Sequence, residues 1–149
     1  MTLIQKTLVL VTILLFMGTC IIPAVTQNTE KSYSISRGTW LYVGGSGPGN
    51  YTRIQDAIDN VSDGDTVYVY NDSSPYYENI IVNKSVHLIG EDRETTVIDG
   101  NWKGHVVFVS SDNTSIEGFT IQNSNNDCGG IKLCSNYSTI QRIILRNNY

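Results

Sequence analysis

A chain of 149 residues with net charge −4 and an isoelectric point near 5.0 is long enough for one domain, and it has no basic cluster or stripe with which to hold nucleic acid. Only 16% of the residues are charged, while Asn, Ser, Thr, Gly and Tyr are abundant. That is the composition of strands and turns, and it excludes a helical bundle.

Residues 1–25 stand apart. Lys6 precedes "TLVLVTILLFMGTCIIPAV", an apolar run without charge. It reads as the n-region and h-region of a secretory signal, with cleavage after Ala24 or Thr26. The alternative is an uncleaved anchor, because the run is close to the minimum span of about 17 residues. Either way the expected location is secreted or cell-surface, with membrane contact only through this segment. "MGTC" before and at Cys20 fits a lipoprotein signal poorly. Losing residues 1–25 removes one charged residue, Lys6, and leaves a net charge of −5. Cys128 and Cys134 then remain. At about 3.3 Å per residue an extended chain holds them too far apart for a disulfide, unless Gly129 and Gly130 turn it. Two unpaired thiols are the expectation.

Residues 26–39 are polar and unpatterned, a linker. "TWLYV" is a short strand, followed by the loop "GGSGPGN" and then a helix. Strand, glycine loop and helix also form the order of a nucleotide site. Here Asn50 stands where a dinucleotide fingerprint needs its third glycine, and no lysine opens the helix as a P-loop requires. Thr52 and Gln55 have the spacing of a capping box. Ile54, Ala57, Ile58 and Val61 fall at i, i+3, i+4 and i+7, one apolar stripe. "SDGD" ends the helix, and "TVYVY" places Val67 and Val69 on one face of the next strand.

The chain then repeats with an offset of 24 residues. Val107 falls on Ile131, Val109 on Leu133, Ile116 on Ile140, Phe119 on Ile143, Ile121 on Leu145, and Asn123 on Asn147. An earlier copy, "IIVNKSVHLIGE" with "TTVIDG", has different spacing. A period in the twenties, with brief strands joined by Gly, Asn, Asp and Ser, predicts an all-β parallel β-helix. Inward residues of successive coils stack into an apolar column, and Asn123 and Asn147 form an amide ladder at a corner. The first coil of such a solenoid has open edges. The Ile54–Val61 stripe is expected to lie across it as a lid. No such cover is expected after "LRNNY". A fragment of a longer β-helix is therefore expected, with further coils or self-association at that end.

"YTRIQDAIDNVSDGDTVYVY", "SPYYENIIVNKSVHLIGE" and "TTVIDG" together resemble the amino-terminal region of right-handed parallel β-helix proteins of the pectin-lyase-like superfamily. The nearest likeness is to NosD-like repeat proteins of archaeal cell surfaces. It covers Trp40 to Tyr149 and is specific for fold, not for activity. The leading implication is a non-catalytic surface module, structural or carbohydrate-interacting, with polysaccharide or cell-surface components as partners. A second implication is the amino-terminal part of a polysaccharide-active enzyme. Pectinesterases share the helix and a Tyr-x-Glu-like step, matched here by Tyr77 and Glu78, but their catalytic carboxylates lie in later coils. A third is a copper-site accessory protein, the role that the NosD likeness implies.

No catalytic, cofactor or metal residue is assigned from the sequence. His87 and His105 are the only histidines, and their spacing is not that of a metal site. Asp63, Asp65, Asp99, Asp112 and Asp127 lie in turn contexts, where aspartate belongs for local hydrogen bonding. Calcium is the one ion such carboxylates would suit. Tyr68, Tyr70, Tyr76, Tyr77 and Trp102 offer flat faces to sugar rings, although strands also favour aromatics for packing alone. Six Asn-x-Ser/Thr sequons begin at Asn50, Asn60, Asn71, Asn83, Asn113 and Asn136. In an exported protein they are candidate glycan acceptors; turn-rich composition also generates the pattern.

Overall fold

The computed structural model describes residues 38–149. The expected signal or anchor of residues 1–25, Cys20 and the expected linker up to residue 37 lie outside the described residues. Within them the chain forms β1 (Trp40–Val43), α1 (Ile54–Asn60), β2 (Thr66–Val69), β3 (Tyr76–Tyr77), β4 (Ile80–Val82), β5 (His87–Gly90) and β6 (Val97–Asp99). It continues with β7 (Val107–Val109), β8 (Ser115–Glu117), β9 (Thr120–Gln122), β10 (Ile131–Leu133), β11 (Thr139–Gln141) and β12 (Ile144–Arg146).

Each strand is two to four residues long, because a Gly, Asn, Asp or Ser turn interrupts it. The strands pair only with strands a whole turn away. β1, β2, β5, β8 and β11 form one sheet, β4, β7 and β10 a second, and β3, β6, β9 and β12 a third. All the pairings are parallel. The result is a parallel β-solenoid of about four turns. In the first turn, α1 takes the place of the strands of the second and third sheets.

Register follows the apolar pattern. Val107 lies opposite Ile131 and Val109 opposite Leu133. Ile116 lies opposite Ile140, and Ile121 opposite Leu145. The Ile144 amide bonds the Phe119 carbonyl at 2.9 Å, which sets Phe119 beside Ile143. The earlier turn is longer in one leg. Ile80 lies opposite Val107 and His87 opposite Ser115, 27 and 28 residues on, while Val97 lies opposite Thr120, 23 on. Turns absorb the difference, so the strands keep register while the sequence loses its period. Slipping any strand by one residue would turn its apolar side chains outward.

The core is a column. Val67, Leu88 and Ile116 stack in the first sheet, Val82 and Val109 in the second, and Ile98 and Ile121 in the third, all wholly buried. Each such side chain contributes about 1.5–3 kcal/mol of burial. In β10–β12 the same column opens. Leu133 is 48% exposed and Leu145 57%, and Ile131, Ile140 and Ile143 are half-buried.

Two corners show how the turns stack. Asn123 and Asn147 both take left-handed backbone, with φ of 59° and 48°, a conformation that asparagine tolerates better than most residues. Asn147 Nδ2 donates to Asn123 Oδ1 at 3.4 Å, and Asn123 Nδ2 donates to the buried Asp99 Oδ2 at 2.7 Å. Asp99 also accepts from Gln122 Nε2 at 2.8 Å. At another corner Gly90 lies against the Gly118 carbonyl, too close for any side chain.

The helix buries Ile54, Ala57 and Ile58, with Val61 behind them, and packs on β1, β2 and β4. Its start differs from the sequence expectation. The N-cap is Arg53, with no side-chain cap bond, so the Thr52–Gln55 box does not form. Glu78, between β3 and β4, does that work. Its Oε1 accepts the Ile54 amide at 2.8 Å and its Oε2 the Gln55 amide at 3.0 Å. A buried carboxylate bonding two free amides is stronger than one hydroxyl bonding one, and it matches the sign of the helix dipole. Gln55 is thereby freed to reach β4. Its Oε1 accepts the Ile81 amide at 2.8 Å, and its Nε2 donates to the Ile81 carbonyl at 3.3 Å. β4 is an edge strand, so a side-chain amide here replaces a missing neighbour. At the other end of the helix, Lys84 Nζ donates to the Asp59 and Val61 carbonyls at 2.7 and 2.8 Å.

Candidate carbohydrate-contact face

Strands put alternate residues on opposite faces. In β1, Val43 is buried and Leu41 packs on the core, so Trp40 and Tyr42 face outward. In β2, Val67 and Val69 are buried, and Tyr68, with Tyr70 just beyond the strand, faces outward. The register sets Tyr42 beside Tyr68. Four aromatic rings therefore share one patch of the five-stranded sheet. Tyr42 is its centre, with ring centroids 6.4 Å from Trp40, 6.2 Å from Tyr68 and 6.1 Å from Tyr70, the last stacked at 26°. Trp40 is 51% exposed and Tyr42 37%. Such rings bring large apolar faces that stay in place at low entropic cost, with hydroxyl groups at their tips.

The glycine-rich loop borders the patch. The Gly45 amide donates to Asp72 Oδ1 at 2.9 Å, and Asn50 Nδ2 donates to the Gly44 carbonyl at 2.6 Å. A Cβ on Gly45 would stand 2.7 Å from the Tyr70 ring, and one on Gly44 would collide with the Tyr76 hydroxyl. The glycines are there for close approach to these two tyrosines. Beside them lies a cavity of about 490 Å³, lined by Gly45, Ser46, Gly47, Tyr70, Asn71, Asp72 and Glu91. Glu91 Oε2 accepts the Asn71 amide at 2.9 Å. Among the described residues, the second oxygen of Asp72 and of Glu91 has no protein donor.

Two tyrosines are held protonated. Burial raises the Tyr68 pKa, helped by the charge of Glu91 and by Tyr70. Tyr76 is pushed up to about 12 by burial and then by Asp72, against the lowering effect of Ser73. Its hydroxyl donates to the Tyr70 carbonyl at 2.7 Å, which fixes the end of β2 under the patch. Rings for sugar C–H faces, beside carboxylate oxygens for sugar hydroxyls, make a mixed surface of the kind that orients small polar ligands.

The structure brings together Tyr68 and Tyr70 and adds Trp40 and Tyr42. The signal for those two was present, in the parallel alternations Trp40-x-Tyr42 and Tyr68-x-Tyr70. Their neighbourhood depended on β1 and β2 being partners. Tyr76 is buried, Tyr77 is 69% exposed away from the patch, and Trp102 pairs with Tyr149 at 5.9 Å. The aspartates are spread apart, in turns except for Asp99, which is the buried last residue of β6. Asp65 accepts the Thr39 and Ser62 amides at 2.6 and 2.8 Å, Asp63 the Ser85 amide at 2.9 Å, and Asp112 the Asn136 amide at 2.7 Å. Asp127 is exposed in its turn. His87 is exposed on the sheet, and His105 Nδ1 lies 3.1 Å from the Gly129 carbonyl. Among the described residues no group of three or more His, Cys, Asp or Glu side chains is placed to hold a metal. Cys128 and Cys134 are free thiols. No protein-family model and no curated protein matches the chain.

Proposed function

We propose that this protein is an exported, cell-surface β-solenoid that binds carbohydrate, without catalysis, on the patch formed by Trp40, Tyr42, Tyr68 and Tyr70. The observation that carries the reading is the four-ring patch beside a carboxylate-lined cavity. The charge-free run after Lys6 supports export. The solenoid and the quoted motifs support a right-handed β-helix of the pectin-lyase-like kind, nearest in pattern to the NosD-like surface proteins. In this reading α1 is the lid of the first turn, held by Glu78, Gln55 and Lys84. The exposed Leu133 and Leu145 side chains support a further coil of the same kind stacking on β10–β12.

The test is binding of the purified protein to a panel of neutral, amino and uronic-acid polysaccharides. At least one should be retained, and Tyr42→Ala should weaken it about tenfold or more, as loss of one well-placed aromatic does. Tyr77→Ala, off the patch, should leave it unchanged. Retention of none, or equal binding by the Tyr42 variant, would overturn the reading.

A further inference from the structure

The six sequons do not scatter over the solenoid. Asn60 closes α1, and Asn83, Asn113 and Asn136 fall in the turns after β4, β7 and β10, so that all four stand just before a strand of the five-stranded sheet. Hydrogen bonds stack these turns directly. Lys84 Nζ donates to the Asp59 carbonyl at 2.7 Å, and Ser85 Oγ donates to the Asp112 carbonyl at 2.6 Å. The Asn113 amide donates to the Asn136 carbonyl at 3.1 Å. The four asparagines therefore run up one edge, one per turn, and all four are exposed.

Their side-chain amides also differ from those of the other two. Among the described residues, Asn83 and Asn113 Nδ2 have no protein partner, and Asn113 sits at a tip with φ of 56°. Asn60 Nδ2 makes one exposed bond, to the Asp56 carbonyl at 2.8 Å, and Asn136 Nδ2 one long one, 3.4 Å from Asp112 Oδ1. Asn50 is different. Its Nδ2 donates to the Gly44 carbonyl at 2.6 Å, and its side chain packs on Gly45 and Gly47. Asn71 Nδ2 donates to Thr95 Oγ1 at 2.9 Å. Both are half-buried, beside the cavity next to Tyr70.

We propose that this edge is the glycan-bearing edge of the protein, with Asn83 and Asn113 the principal acceptors, Asn60 and Asn136 secondary ones, and Asn50 and Asn71 left bare. The donor is an oligosaccharide linked to a polyprenyl diphosphate. Nδ2 forms a bond to the anomeric carbon of the first sugar. The bond from that carbon to the diphosphate oxygen breaks and its electron pair leaves with the polyprenyl diphosphate. One amide proton passes to a base of the transferase. An acceptor side chain must stand clear of the surface to enter the transferase, and Asn50 and Asn71, half-buried as well as hydrogen-bonded, do not. Glycans on this edge also stand at the start of the sheet strands. The cavity beside Tyr70 lies at the ends of β1 and β2 and stays open.

The inference rests on the export reading, because such transfer takes place outside the cytoplasm. Its test does not require export. The folded chain, and the same chain unfolded in denaturant and diluted, are each incubated with a purified oligosaccharyltransferase and a polyprenyl-diphosphate-linked oligosaccharide. Occupancy at each sequon is read by peptide mass spectrometry. The unfolded chain should accept sugar at all six positions. The folded chain should accept it at Asn83 and Asn113 first, and at Asn50 and Asn71 about tenfold less or lower, since each must break a hydrogen bond and leave a half-buried position to react. Asn83→Gln, at an exposed position with ordinary backbone, should remove one glycan without moving the thermal midpoint. Equal occupancy of Asn50 or Asn71 in the folded chain would overturn the proposal. So would a folded chain bare at Asn83 and Asn113, or a chain that accepts no sugar in either state.

Discussion

Ile116 and Ile121 are wholly buried, whereas Ile140 and Leu145, their register partners one turn later, are half-buried and 57% exposed. The residue types are alike and the backbone pairing is the same. What differs is the next layer. Between the helix and β9 every inward side chain has a turn above and below it, and at β10–β12 one side is open. At the helix end, Ile54 and Ile58 are wholly buried although, among the described residues, no turn of the solenoid lies below them. The helix turns its one apolar stripe to β1, β2 and β4, and Glu78 and Lys84 of the next turn, with its own Gln55, bond it there. Burial in a solenoid thus depends on neighbours more than on the residue itself, as expected when each repeat contacts only the adjacent ones.

The same substitution at the two ends should break this symmetry most visibly. Ile58→Asp places an unpaired charge between the helix and the first turn and should cost about 3 kcal/mol or more. Leu145→Asp meets water and should cost under about 1 kcal/mol. Urea midpoints of the two variants check it, and similar shifts would remove the distinction. A smaller contrast separates the two expected caps of the helix. Glu78→Ala leaves two helix amides without an acceptor and should cost about 2 kcal/mol. Thr52→Ala should change stability by under about 0.5 kcal/mol, because the side chain caps nothing. The smallest effect is alkaline. Tyr76 loses its proton near pH 10 when unfolded but near 12 when folded. Its contribution is complete below pH 10 and declines as pH rises through 12, since the unfolded state is the one that ionises first. Tyr76→Phe should flatten that decline in a pH series of thermal midpoints, while losing the bond to the Tyr70 carbonyl at neutral pH.

The apolar columns were legible because Val107, Ile116 and Ile121 recur as Ile131, Ile140 and Leu145 at one fixed offset. The turn before them was harder, since a longer leg from β4 to β7 and a shorter one from β6 to β9 hide the repeat. The helix stripe was legible from its 3.6-residue period, but its cap was not. Glu78 lies 24 residues from the Ile54 amide it bonds, and a local pattern such as Thr52-x-x-Gln55 carries no information about it. The aromatic patch was half legible. Tyr68 and Tyr70 were visible as flat faces, while Trp40 and Tyr42 joined them only through a strand pairing that spans the loop and helix. The sequons were legible as six equal motifs. Their division into one edge of four and a bordered pair depends on stacking, which no single turn reveals.

Amide hydrogen exchange along the 149-residue chain tests the layered account most directly. Opening that needs only the last turn should be easy, and opening near the helix should need the whole column. The amides of Leu88, Val67 and Ile80 should therefore exchange slowest and together, and those of Ile140, Ile144 and Leu145 faster by orders of magnitude. Uniform protection from β2 to β12, or a helix end that exchanges before the β10–β12 turn, would contradict it.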